Sequence, residues 1–268
     1  MWNRRDIDFI QSQDLPWTMV PLGDFGAGEL QKVLSADSTD GSRTILLRLH
    51  NPVVGRLHGA ADIYVLEGDG ELNGYPLRAG HYFYVAPGGW VNCRPGVTRT
   101  TLYAGLNGSS LLDEVVHRAD AVKSEECTHI DTEELDWSNP DWGGERGTAP
   151  AVFAKILRRS ASEEVRLIAM LPGHKSDAEE QHDVSEESFR LSGDLLFGER
   201  GLMVAGAYFF HSARLWHCPS GSRYGSMSIV RTSGPLTTNY RSPKPGSNWH
   251  ELAQRGYANY RSPALGPI

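Results

Sequence analysis

Four segments of this chain occur twice, in the same order and about 120 to 127 residues apart. DLPW ending at Trp17 returns as ELDW ending at Trp137, and LQKVLSA around Lys32 returns as FAKILRR around Lys155. RTILLRL from Arg43 matches VRLIAML from Val165, and LRAGHYFYVAPGGWVNCRPG matches MVAGAYFFHSARLWHCPSG. Chance supplies one such pair; four in register mark a duplication. The chain is read as two copies of a domain of roughly 100 residues. The first copy spans residues 1–118 and the second 151–236, with a polar, Pro/Gly-rich linker over 119–150 that includes SNPDWGGERGTAP and an extension over 237–268.

Within each copy the local pattern is β. TILLRL, DIYVLEG, HYFYVAP and TTLYAGL are short runs rich in Ile, Val, Tyr and Leu, residues that fit a pleated, half-buried surface. Gly and Pro punctuate them, as in EGDGELNGYPLRAG. This rhythm suits an antiparallel sandwich or barrel and argues against alternating βα units. SSLLDEVVHRAD and SNWHELAQRG are the best helical windows. Hydrophobic content of 40% supports a packed core, and a net charge of -7 with no long Lys/Arg run disfavours nucleic acid and anionic membrane as partners. No run approaches the length of a membrane span, and no apolar segment follows Arg4 and Arg5 as a signal peptide requires. Three cysteines, Cys93, Cys127 and Cys218, without CxxC spacing fit a reduced, cytoplasmic setting. Cys93 and Cys218 occupy matching places in the repeat and are expected to be small core residues.

The stretch EEQHDVSEESFRLSG, residues 179–193, places His182 among four glutamates just ahead of a strand. It reads either as a solvated loop or as part of a metal site. Residues two apart on a strand share a face, so Glu180 and His182 can both point inward. Glu186 can join them after a turn, and His217 can reach them from a distant strand. Imidazole and carboxylate groups converging in a cavity are what a transition metal requires.

These spacings resemble the cupins, in particular the ChrR-like cupins of anti-sigma factors and relatives of acetylacetone-cleaving dioxygenases. His182 is followed by three residues, Glu186, six residues and Gly193, and Gly206 is followed by AYFFHSARLW and His217. Glu180 stands where the family has the first histidine of H-x-H. The resemblance implies an all-β bicupin of two tandem jelly-roll barrels, with a divalent metal in the second held by His182, Glu186 and His217, with Glu180 as a fourth ligand or a general base. His174 and His211 are alternative ligands.

In the first copy the resemblance puts Arg56 and His58 at H-x-H, Ala61 at the glutamate, and Asn92 or Val91 at the last histidine. Arginine stays protonated and alanine has no donor, so this copy is expected to have lost its metal. It is left with a structural role, or with an anion pocket built from Arg56 and His58.

The implied function is that of a metal-dependent enzyme. A non-heme dioxygenase using Fe(II) on a diketone or hydroxy-ketone is favoured. A redox-neutral lyase, isomerase or hydrolase with Zn, Mn or Ni, and a non-catalytic sensing module, are the alternatives. Tyr208, Phe210 and Trp216 are the candidate substrate wall. A small-molecule substrate and a homodimer are the expected partners. NYRSP at Asn239 and again at Asn259 frames a tail expected to pack along, or close, a barrel.

Overall fold

The computed structural model describes residues 2–113, 126–140, 151–217, 219–242 and 254. The chain forms two compact units. One holds residues 15–135; the other joins residues 1–14 to 136–268. Both are antiparallel β structures, as the all-β expectation requires, and no helix among the described residues is long and apolar enough to cross a membrane.

In the unit of residues 15–135, a seven-stranded sheet runs in the order Cys127–Asp131, His81–Val85, Ala60–Glu67, Thr100–Asn107, Arg43–Leu49, Leu30–Ala36, Thr18–Met19. It faces a five-stranded sheet of Leu112–Asp113, Val53–Leu57, Trp90–Pro95, Gly70–Leu72 and Tyr75–Pro76. Every second residue of the central strands points inward. Ile45, Leu47, Leu49, Ile63, Val65, Leu102, Ala104 and Leu106 fill the interior with Phe25, Phe83 and Leu57. Each such aliphatic or aromatic side chain contributes about 1.5–3 kcal/mol on burial. Cys93 and Cys127 belong to this core, and burial pushes the Cys93 thiol up to about 12.

The other unit repeats the plan. Its main sheet runs Ile7–Gln11, Ala207–His211, Glu186–Phe197, Ser226–Thr232, Glu164–Met170, Val152–Arg159, and Glu179–His182 pairs with Thr238–Arg241. The duplication is visible in side-chain contacts. The Lys32 ammonium lies 5.0 Å from the Trp17 ring centroid, and Lys155 lies 4.6 Å from that of Trp137. Tyr82 donates to Asp62, and Tyr208 donates to Glu187.

The unit boundaries differ from the sequence expectation in one respect. Ile7–Gln11, counted with the first domain, pairs with Ala207–His211 of the second. Cys127–Asp131, counted as linker, pairs with His81–Val85 of the first. Each copy's leading strand thus completes the sheet of the other copy. The motif before Trp17 and Trp137 marks where a repeat starts, but hydrogen bonding along a free sheet edge decides which barrel the strand enters. Of the two helical windows, Leu112–Asp113 is strand. Residues 114–120, most of 247–256, Cys218 and the second NYRSP lie outside the described residues.

Gly193 lets the long strand Glu186–Phe197 bend. Its φ is +71°, and a Cβ there would lie 1.9 Å from the backbone oxygen of Gly225. Gly193→Ala is expected to cost at least ~2 kcal/mol, because the left-handed conformation and a rigid backbone clash add. Urea titration, read as a lower midpoint, checks this.

Candidate metal centre

Within the second barrel, Glu179–His182 supplies Glu180 and His182, and the bend at 183–185 delivers Glu186 at the head of the next strand. Glu186 pairs directly with His211 on Ala207–His211. His217 faces Glu180 across a β-bridge in which His217 N donates to Glu180 O at 2.7 Å. Two overlapping groups result, Glu180–His182–His217 and Glu186–His211–His217, with ligand atoms in each within 4.8 Å of one another. Glu186 Oε2 sits 3.4 Å from His182 Nε2 and 3.9 Å from His217 Nδ1.

The tautomers follow from the partners. His182 Nε2 faces Glu186 Oε2 at 3.4 Å, where loss of its proton would free the lone pair for a metal. His182 Nδ1 lies 3.3 Å from the Thr237 carbonyl, which places a proton on Nδ1. This is the outer-shell support typical of a metal-bound imidazole. Arg200 donates to His211 Nε2 at 2.8 Å, and the buried His211 Nδ1 has no partner among the described residues.

Electrostatics prepare the same groups. Burial alone would raise Glu186, but the neighbouring His182, His217 and Arg166 outweigh it and hold the carboxyl at about 2. Burial would lower His182; Glu186 and Glu180 reverse this and lift it to about 8. Burial, with His211 beside it, drives His217 well below its ordinary value, and burial plus Arg200 takes His211 to about 3. Burial raises Glu180, and Glu186 adds to the rise. An ionised Glu186 carboxylate beside the neutral imidazoles of His211 and His217 is a ready partial ligand set, and His182 joins it once a metal displaces its proton.

One ion bound at about 2.1 Å holds its donors roughly 3 to 4 Å apart. The observed separations fit that after small side-chain adjustments, and two imidazoles with one or two carboxylates suit a divalent transition metal.

These groups open onto a cavity of about 70 Å³, enough for several waters or a small molecule. Its lining combines apolar Ile168, Leu195, Phe197, Phe209 and Val230 with polar Glu180, His182, Glu186, His217, Ser188 and Arg190. Phe197 and Phe209 stack at 5.5 Å.

The expected wall residues lie elsewhere. Tyr208 is fully buried and donates to Glu187 Oε2 at 2.5 Å. Phe210 packs against Trp2 at 6.3 Å, and Trp216 lies under the Arg241 guanidinium at 4.1 Å. Alternation in Ala207–His211 is offset by one, so Phe209 and His211 face the centre. His174 pairs with Ser222 on a short strand and stands outside both ligand groups.

The first barrel shows what the second has acquired. Ala61 pairs with Val85 as Glu186 pairs with His211, and Gly55 with Val91 as Glu180 with His217. Leu57 precedes Ala61 by the interval that separates His182 from Glu186. The ligand places therefore hold Gly55, Leu57, Ala61, Val85 and Val91. Arg56 and His58 fall one residue out of register on the outer face, with His58 Nε2 2.9 Å from Asp113 Oδ2. They form no interior anion pocket. Asn92, in the strand Trp90–Pro95, donates its backbone N–H to Asn73 Oδ1 at 2.7 Å.

No protein-family model matches the chain, and no curated protein matches it in sequence. Solved structures do share its fold. A Nostoc punctiforme protein provisionally described as a dioxygenase superposes with a TM-score of 0.75 at 17% identity, over 91% of this chain and 93% of its own. The Lactobacillus farciminis oxalate decarboxylase gives 0.59 at 8% identity, covering 86% and 87%. Salicylate 1,2-dioxygenase of Pseudoaminobacter salicylatoxidans gives 0.51 at 11%, covering 75% and 72%.

Proposed function

With the fold established as two cupin-type barrels, we propose that the second barrel is a metal-dependent active site acting on a small oxygenated organic substrate. Non-heme dioxygenase chemistry on a diketone or hydroxy-ketone is the leading reaction. One observation carries this reading: five ligating side chains line up in one barrel at places where the other barrel of the same duplication is apolar. A fold that packs well with Leu57, Ala61 and Val91 does not need buried His182, Glu186 and His217 for stability, since desolvating such groups costs free energy. Fold neighbours described as dioxygenases and as an oxalate decarboxylase support an enzyme.

His182, Glu186 and His217 would hold the ion, with Glu180 or His211 completing its shell. A divalent metal there supplies Lewis-acid polarisation of a chelated oxygen and, if Fe(II), access to O₂. The chain itself does the rest. Thr237 and Thr238 orient His182, and Arg200 fixes His211. Phe197 and Phe209 exclude water from one side of the substrate. Glu180, raised by burial and part of the cavity lining, is placed to take up or hand on a substrate proton when it is not a ligand.

Elemental mass spectrometry on protein purified anaerobically without chelator, with oxygen uptake on a panel of β-diketones and hydroxy-ketones, tests the proposal. About one iron per chain with substrate-dependent uptake is expected. One zinc without uptake moves the reading to a redox-neutral enzyme or a sensing module, and no metal removes it.

A further inference from the structure

Arg190 has no evident structural reason to be where it is. It sits in the strand Glu186–Phe197, two residues beyond Ser188 and four beyond Glu186, on the face that lines the cavity. It is 3% exposed, its guanidinium makes no ion pair or hydrogen bond among the described residues, and its Nε is buried without a partner. Burying an unpaired cation costs several kcal/mol. Asp194 acts on it electrostatically, but the Asp194 oxygens accept from the backbone N–H of Arg223 at 3.1 Å and Tyr224 at 2.9 Å. Burial lowers Arg190 to about 10, so it remains a cation at neutral pH.

The duplication again supplies the control. Arg190 pairs with Ser228, and Ser228 with Ile168; the corresponding trio in the first barrel is Val65, Leu102 and Leu47. The barrel therefore closes with plain hydrocarbon at these positions. Ser228 also lines the cavity, and its hydroxyl is buried without a partner. Residues directly opposite on adjacent strands have Cβ atoms about 5 Å apart. The Arg190 Nε and the Ser228 hydroxyl, both buried without a partner, thus belong to neighbouring residues on adjacent strands that line the cavity.

We propose that Arg190 and Ser228 form an anion subsite that receives a substrate carboxylate, while the oxygenated end of the same molecule faces His182, Glu186 and His217. The substrate class narrows to small keto acids or hydroxy acids. A planar guanidinium matches a carboxylate through paired N–H donors, and such a carboxylate would also accept from the Ser228 hydroxyl. The inference rests on reading this cavity as a substrate site.

The test compares pyruvate with diacetyl, its near-isostere in which a methyl replaces the carboxylate, by isothermal titration. Wild-type protein is expected to bind pyruvate at least ~10-fold more tightly, since a charge-assisted hydrogen bond contributes about 1.5–3 kcal/mol. Arg190→Gln should cost pyruvate roughly 10- to 100-fold and leave metal content unchanged. Ser228→Ala, a smaller change, should weaken pyruvate in the same sense. Equal affinity for the two probes in wild-type protein, or no binding of pyruvate, overturns the subsite without recourse to any variant. Metal content measured on the same samples reports separately on the proposed metal centre. Metal-free protein that still prefers pyruvate in an Arg190-dependent way keeps the subsite and removes the metal reading.

Discussion

His182→Ala and His217→Ala proteins are expected to purify folded and stripped of metal. Each substitution removes an imidazole whose partner is Glu186 Oε2, at 3.4 Å and 3.9 Å respectively. Loss of outer-shell support alone typically costs 10–100-fold in metal affinity, so loss of a ligand should cost roughly 100-fold or more. Elemental analysis after gel filtration reads this directly, and oxygen uptake should fall with it. His58→Ala is the matched control: His58 is exposed, paired with Asp113, and lies on the outside of the other barrel. Metal content should not change there. Retention of full metal in both His182→Ala and His217→Ala would place the ion elsewhere and remove the proposed centre. The metal centre is not expected to hold the fold together, because the first barrel packs the same positions with hydrocarbon.

A second large effect is expected at Glu187, one residue from the proposed ligand but on the opposite face. Its carboxylate accepts from Arg4 Nη1 at 3.1 Å, from Tyr208 OH at 2.5 Å and from Arg231 Nη1, and Glu187, Arg4 and Arg231 have almost no exposed side-chain surface. Trp2 lies over both guanidinium groups, 5.2 Å from Arg4 and 5.1 Å from Arg231. Glu187→Ala removes the carboxylate that both buried guanidinium groups pair with. Breaking a buried pair in this way costs about 3–5 kcal/mol, a large part of the stability of an ordinary domain. Tyr208→Phe removes one neutral donor and should cost only ~1 kcal/mol. Urea unfolding of the two variants separates these values; equal midpoints would mean that the cluster is not a buried charge network. The same cluster gives a physical reason for residues 1–14 to belong with the second barrel, since Arg4 is bonded into it and Ile7–Gln11 pairs with the strand Ala207–His211 that carries Tyr208.

Much of this was legible in the sequence. The doubled segments announce two copies of one domain, and the short Val/Ile/Tyr runs between Gly and Pro announce antiparallel sheet. The interval from His182 to Glu186 and the placing of His217 pointed to the candidate group through the resemblance to cupins, and strand periodicity added that Glu180 and His182, two apart, share a face. Counting on by two from Glu186 would also have reached Ser188 and Arg190, so that signal was present in the sequence.

What the sequence by itself determined is the class of fold and its duplication, which follow from local strand patterns and from repeated segments, while its candidates Glu180, His182, Glu186 and His217 came from a family resemblance. Tertiary structure alone decided which face of Ala207–His211 looks inward, replacing Tyr208 and Phe210 by Phe209 and His211 at the cavity. It also decided that His58 lies one residue out of register, and that each leading strand enters the other copy's sheet. Absolute facing, register and sheet membership depend on bulges, edge hydrogen bonds and packing between residues far apart in the chain, and a local pattern contains none of that information.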